Sequence, residues 1–213
     1  MPRGRKPPVR DAARTASRIL QAATAEFARR GYEGARIERI VAKAGCNLRM
    51  LYHYFGNKKK LYQSVLEHIY EDIRNKEQQL ALDHLGPIEG IAALVDFTFS
   101  HFADNPAFVQ ITMNENLERG IHVARLRRVR EMSSPLIGQI EALLRKGETE
   151  GVLRAGVDPL QIYVSIVALA CHHLNNAYTL SAAFGVDLTS QSWRLERRGH
   201  VRQIIISFLT DRN

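Results

Sequence analysis

Three features predict an all-α protein of about nine helices. Apolar residues return every three or four positions along most of the 213-residue chain. No alternation of strand period runs for a useful length, and no internal repeat is present. Helix-start chemistry recurs at Asn105-Pro106 and Asp158-Pro159, each a capping side chain followed by proline at the first helical position. A chain of this length can bury a sizeable core, in one extended or two small domains.

The elements follow in order. Met1 to Arg14 is a basic, proline-rich arm without periodicity. From Thr15 to Arg30, Ile19, Ala23 and Phe27 recur at i, i+4, i+8 beside Leu20, which makes one amphipathic helix ended by Gly31. A second helix runs from about Arg36 to Ala44, with no Ser or Thr cap where Ala35 and Arg36 stand. Gly45 follows it as a helix-ending glycine, and Asn47 is placed to cap a short helix from Leu48 to Phe55. Helix, tight turn, short helix is the pattern of a helix-turn-helix. After Gly56, Asn57 opens a long helix to about Leu82, with Leu61, Val65, Ile69 and Ile73 at a period of four. Its first turn, Lys58-Lys59-Lys60, is the wrong charge for a positive helix end unless a phosphate sits there.

Five further helices are expected. They are Pro87 to about Ala103, Pro106 to about Glu118, Val123 to about Lys146 with Pro135 kinking or splitting it, Pro159 to about Ala183, and Ser192 to about Leu209. Leu160 to Ala170 is apolar almost all round and requires burial on every side. The last helix carries Val201, Ile205, Phe208 and Leu209 as one stripe. A helix-turn-helix head this small ordinarily binds as a symmetric pair, so these two C-terminal helices are the expected dimer surface.

Charge is divided unevenly. Residues 1–60 hold 15 Lys and Arg against 4 Asp and Glu, and residues 61–213 hold 15 against 18. A polyanion-binding head on a near-neutral body is the natural reading. Cys46 and Cys171 lie far apart without metal-site spacing, which suits a reducing cytosol. The start lacks an apolar signal region, and the longest apolar run, Ile162 to Cys171, is too short for a membrane span, so a soluble cytoplasmic protein is expected.

From Ile37 to Leu61 the chain resembles the DNA-binding segment of the TetR family of bacterial transcriptional regulators. The shared pattern stands here as Gly45, Cys46, Asn47, the variable Leu48-Arg49-Met50, then Leu51, Tyr52, Tyr54, Phe55, Asn57, Lys58 and Leu61. The resemblance implies an N-terminal head (15–60) and a ligand-binding and dimerisation body (61–213), after the flexible arm (1–14). It implies that Leu48, Arg49 and Met50 read bases while Tyr52, Tyr54 and Lys58 contact the DNA backbone. Asn47, His53 and Arg36 complete the expected contact set, Arg36 as a phosphate ligand. Arg3 and Arg5, around Gly4 and flanked by prolines, resemble an AT-hook that would enter the minor groove; a tail giving only diffuse attraction fits the same residues.

The expected function is therefore a sequence-specific regulator binding a palindromic operator in double-stranded DNA as a homodimer, in the form of a repressor released by a small-molecule effector. A constitutive, architectural DNA-binding protein without an effector is the alternative. Polar side chains set into apolar helices nominate His101, Asn114, Glu115, His172 and Asn176 for the effector, best suited to a small polar or carboxylate-bearing molecule. No enzyme motif, phosphate loop or metal-ligand spacing is present, so no catalysis, cofactor or metal is expected.

Overall fold

The structure is a computed structural model and describes residues 9–211. Among these residues the chain forms ten α-helices, two short 3-10 turns and no strand. They are α1 (Val9–Gly34), α2 (Ile37–Ala44), α3 (Leu48–Phe55), α4 (Lys58–Gln78), α5 (Pro87–Asp104), α6 (Pro106–Leu117), α7 (Arg127–Thr149), α8 (Pro159–Asn175), α9 (Ala177–Phe184) and α10 (Gln191–Thr210). The 3-10 turns are Leu82–His84 and Val123–Arg125.

Five boundaries differ from the periodicity; one is the helix expected from Val123, which begins at Arg127 after a separate 3-10 turn at Val123–Arg125. Helix α1 already includes Val9, the first described residue, rather than opening at Thr15; its backbone breaks at Gly31 (φ 66°, ψ 179°) as expected. Helix α4 stops at Gln78, and Leu82 lies in a separate turn. Pro135 neither splits nor ends α7. The hydroxyls of Ser133 and Ser134 donate to the carbonyls of Val129 and Arg130 in the turn before it. The helix expected to run to Ala183 divides at Asn176 (φ −116°, ψ 13°), where the side-chain amide donates to the His172 carbonyl at 2.9 Å. An Asn side chain that bonds the backbone in this way competes with the helical ladder.

The helices group into two compact units. The first comprises residues up to Tyr70 together with Gln110–Arg128, so that 61–70 and 110–128 join the head residues. Helix α1 packs on α2 and α3, and Ile19, Phe27, Ile40, Leu51, Leu61 and Tyr62 are buried among them. The second unit comprises Glu71–Val109 and Val129–Asn213. Here α5 lies against α8 and α10, which also touch each other, around a core that includes Ile91, Leu94, Ile140, Ile166, Val201 and Ile205. The apolar surface of α8 is not wholly covered within one chain: Leu160 and Val164 are each more than half exposed. On α10, Val201, Ile205 and Leu209 face the core, while Ile204 and Phe208 face outward.

Candidate nucleic-acid interface

The turn between α2 and α3 is built from local chemistry. Gly45 takes the left-handed conformation (φ 61°, ψ 43°), its amide donates to Ala42 O at 3.3 Å, and the Cys46 amide donates to Val41 O at 3.1 Å. This is a Schellman closure, which satisfies carbonyls that the helix end would leave bare. Asn47 then accepts the Met50 amide on its Oδ1 at 2.9 Å and opens α3. Asn57 does the same for the Lys60 amide at 2.9 Å and opens α4. Helix α2 starts without a side-chain cap from Arg36. Its place is taken by Glu26 of α1, which accepts the Arg36 amide at 3.1 Å and Arg39 Nε at 2.6 Å. Burial opposes the Glu26 charge, but these two donors hold its carboxyl below the usual range.

Helix α3 rests on the buried Leu51 and turns the rest of its surface outward. Leu48, Arg49, Tyr52 and His53 are exposed, and Met50 and Tyr54 are half-buried. Tyr54 meets the His53 ring edge-on at 5.3 Å. The Arg36 side chain is exposed as well. Lys58 is placed differently: its Nζ donates to the Glu33 carbonyl at 3.2 Å and lies 4.9 Å from the Tyr32 ring centre. It thereby ties the first turn of α4 to the end of α1. Arg3 and Arg5 lie outside the described residues.

The residues nominated for an effector have separate fates. In the first unit, Asn114 donates to the Ala28 carbonyl at 3.2 Å and so closes the end of α1 before Gly31. Glu115 is the hub of a buried network. It accepts the His122 and Val123 amides at 2.7 and 3.0 Å, the Tyr62 hydroxyl at 3.1 Å, and pairs with His122 Nδ1 at 3.1 Å. Although burial works against ionisation, those amides and the hydroxyl hold the carboxyl below its ordinary range. In the second unit, His101 is buried on α5, stacked on Phe97 at 5.4 Å, and burial lowers its pKa. His172 is exposed, and Asn176 serves the α8 end as described.

The second unit also holds a polar cluster that the apolar pattern did not nominate. Arg74 NH1 donates to Glu77 Oε2 at 2.6 Å and NH2 to the Tyr163 hydroxyl at 2.9 Å, with Arg74 and Glu77 both buried. Burial pushes the Glu77 carboxyl up in spite of Arg74. Among the described residues, Arg74 Nε, Glu77 Oε1 and Thr98 Oγ1 have no hydrogen-bond partner. The signal was legible: Glu77 continues the series Leu61, Val65, Ile69, Ile73 at the same period, on the face those residues bury.

A short helix capped by Asn47, anchored by one leucine and exposing arginine, tyrosine and histidine within the basic part of the chain, defines a helix-turn-helix DNA-binding protein. Comparison with known proteins carries this further. Residues 19–65 match the family described as bacterial regulatory proteins, tetR family, and residues 87–205 match the tetracyclin repressor-like C-terminal domain. The HTH-type transcriptional repressor NicS of Pseudomonas putida is 36% identical over 84% of each chain. The HTH-type transcriptional repressor SCO4008 of Streptomyces coelicolor is 33% identical over 76% of this chain and 79% of its own. Among solved structures, SCO4942 from Streptomyces coelicolor shares the fold with a TM-score of 0.69 at 23% identity, covering 92% of this chain and 98% of that one. The chain belongs to the TetR family of transcriptional regulators. Among the described residues no helix is long and apolar enough to cross a membrane.

Proposed function

We propose that this protein is a repressor that binds a palindromic operator as a homodimer and is released from it by a small-molecule effector. The observation that carries the reading is α3, which exposes Leu48, Arg49, Tyr52 and His53 around a buried Leu51 anchor. Its relatives are named as transcriptional repressors, so regulation rather than catalysis is the role. It works on DNA in the bacterial cytoplasm. Leu48, Arg49 and Met50 address base edges; Tyr52 and Tyr54 address the DNA backbone. Arg36 sits at the start of α2 with its side chain free for a phosphate. The dimer forms through α8 and α10, whose outward Leu160, Val164, Ile204 and Phe208 lack cover in one chain. Half-sites would then lie about 34–36 Å apart.

The test is operator binding as a function of salt and sequence. Affinity should fall steeply with ionic strength as counterions return to the phosphates. Arg49→Ala should cost ~1–3 kcal/mol and relax one operator position, because a guanidinium fork reads guanine O6 and N7. A uniform loss on all sequences would make Arg49 a phosphate contact instead. A thermal-shift screen of metabolites with and without operator identifies the effector as the compound that stabilises DNA-free protein more.

A further inference from the structure

A cleft of about 410 Å³ opens between the second half of α5 and the first turns of α10. Its volume falls within the ~300–1,000 Å³ range of small-molecule sites. Phe99, Ala103 and Leu195 supply apolar wall, and Gln191, Arg194 and Arg198 supply polar rim. Arg194 and Arg198 are at i and i+4 on α10 and therefore face the cleft one turn apart. We propose that this cleft binds a small aromatic carboxylate, its acid group held by Arg194 and Arg198 and its ring laid on the Phe99, Ala103 and Leu195 wall.

Four observations carry the assignment. Among the described residues Arg194 forms no ion pair; its Nε is shut off from solvent, so the guanidinium meets the cleft with its terminal amino groups. Two terminal amino groups of a guanidinium can hold a planar carboxylate through parallel hydrogen bonds. The wall is backed by rings: Phe99 is stacked on His173 with ring centres 4.9 Å apart and planes 12° apart, and Trp193 meets the same imidazole tilted by 46° at 5.3 Å. His173 is buried, and burial with Arg197 and Arg194 nearby pushes its pKa down to about 4, so it stays neutral and leaves the charge to the arginines. Finally, the acidic neighbours set the ligand's charge. Asp104 lines the cleft, and Asp96 holds Arg202 at 3.0 Å and Arg198 loosely at 3.9 Å. Asp187 lies within electrostatic reach of Arg194 but accepts from Thr189 at 2.6 and 2.8 Å. That balance suits one negative charge rather than the two of a phosphate ester, and the apolar wall selects an organic acid over an inorganic ion.

That such a ligand is also the effector rests on the function proposed above; its binding at the cleft does not. The probe is 4-fluorobenzoate, followed by fluorine NMR line broadening on the full chain, with 4-fluorobenzamide as its neutral counterpart. A ligand this small should bind with a Kd on the order of 1 mM. Binding of the acid and not the amide is expected, with at least ~tenfold weakening in Arg194→Gln. Gln191→Glu, an exposed change that suits the positive end of α10 and so spares the fold, should weaken it comparably by repulsion. Equal broadening by acid and amide, an unchanged Kd in both variants, or no broadening of the acid at millimolar concentration overturns the assignment. Gel shifts of the same variants on operator DNA keep the two readings apart, since loss of carboxylate binding should leave DNA affinity without ligand unaltered.

Discussion

Glu115 shows how a residue's chemistry is settled by what surrounds it. Its carboxylate accepts two backbone amides of the turn after α6 and the Tyr62 hydroxyl of α4, while His122 packs its ring against Tyr32 and Tyr62 at 4.6 and 5.0 Å. Removing the acceptor leaves buried donors unpaired, so Glu115→Ala should lower unfolding stability by about 3 kcal/mol, read as a fall in urea midpoint at constant slope. The carboxyl is held below its ordinary value of 4.5. Its contribution is therefore complete above that pH and lost as pH falls through the depressed folded value. Lys58→Ala removes a hydrogen bond and a cation–π contact at the end of α1 and should cost roughly 1 kcal/mol of stability. Arg49→Ala, with an exposed side chain, should leave the melting temperature unchanged and act on DNA alone.

At the level of elements, α3 is eight residues long, too short to hold itself in water without its cap and its buried Leu51. Asn47→Ala should cost about 1 kcal/mol. Its effect on operator affinity should exceed its effect on global unfolding, since fraying is confined to the reading helix; calorimetry and gel shift on one sample separate the two. This turn was legible in the sequence because Gly45, Asn47 and Asn57 act over three or four residues. The division at Asn176 was not, because the apolar pattern from Leu160 runs on past it to Ala183 without a Gly or Pro, and the Asn side chain chose the His172 carbonyl. The turns of α1 before Thr15 were missed because their apolar positions, Val9, Ala12 and Ala13, are mostly small and stand among Arg10, Asp11 and Arg14. Outward residues on α8 and α10 predict that Val164→Glu converts dimer to monomer, measured by light scattering, and weakens operator binding with it.

For the molecule as a whole, His173 makes stability depend on pH. Its pKa is lowered from 6.5 to about 4 on folding, by burial and then by Arg197 and Arg194. Between those values the unfolded chain binds the proton and the folded chain does not. Stability should be level above about pH 6.5 and decline as pH falls toward 4, by up to about 3 kcal/mol. In His173→Phe this limb should flatten, leaving the acid loss that Glu115 and other carboxylates contribute; urea titrations at stepped pH measure both.

The sequence by itself determined the helical class, the capped turn and the short helix α3 after it, because periodicity, caps and left-handed glycines act between near neighbours. Its charge asymmetry also marked the head as the part that meets a polyanion. Only the tertiary structure decided what the polar residues in apolar helices do. Tyr62 reaches Glu115 across 53 positions and Arg74 reaches Tyr163 across 89. A buried polar group takes its role from whichever partner satisfies it, and that partner is chosen by packing between distant segments. For this reason Asn114 and Glu115, nominated for a ligand by type alone, hold the first unit together. Arg194, without an ion pair among the described residues, stands beside a cleft that no local pattern announced.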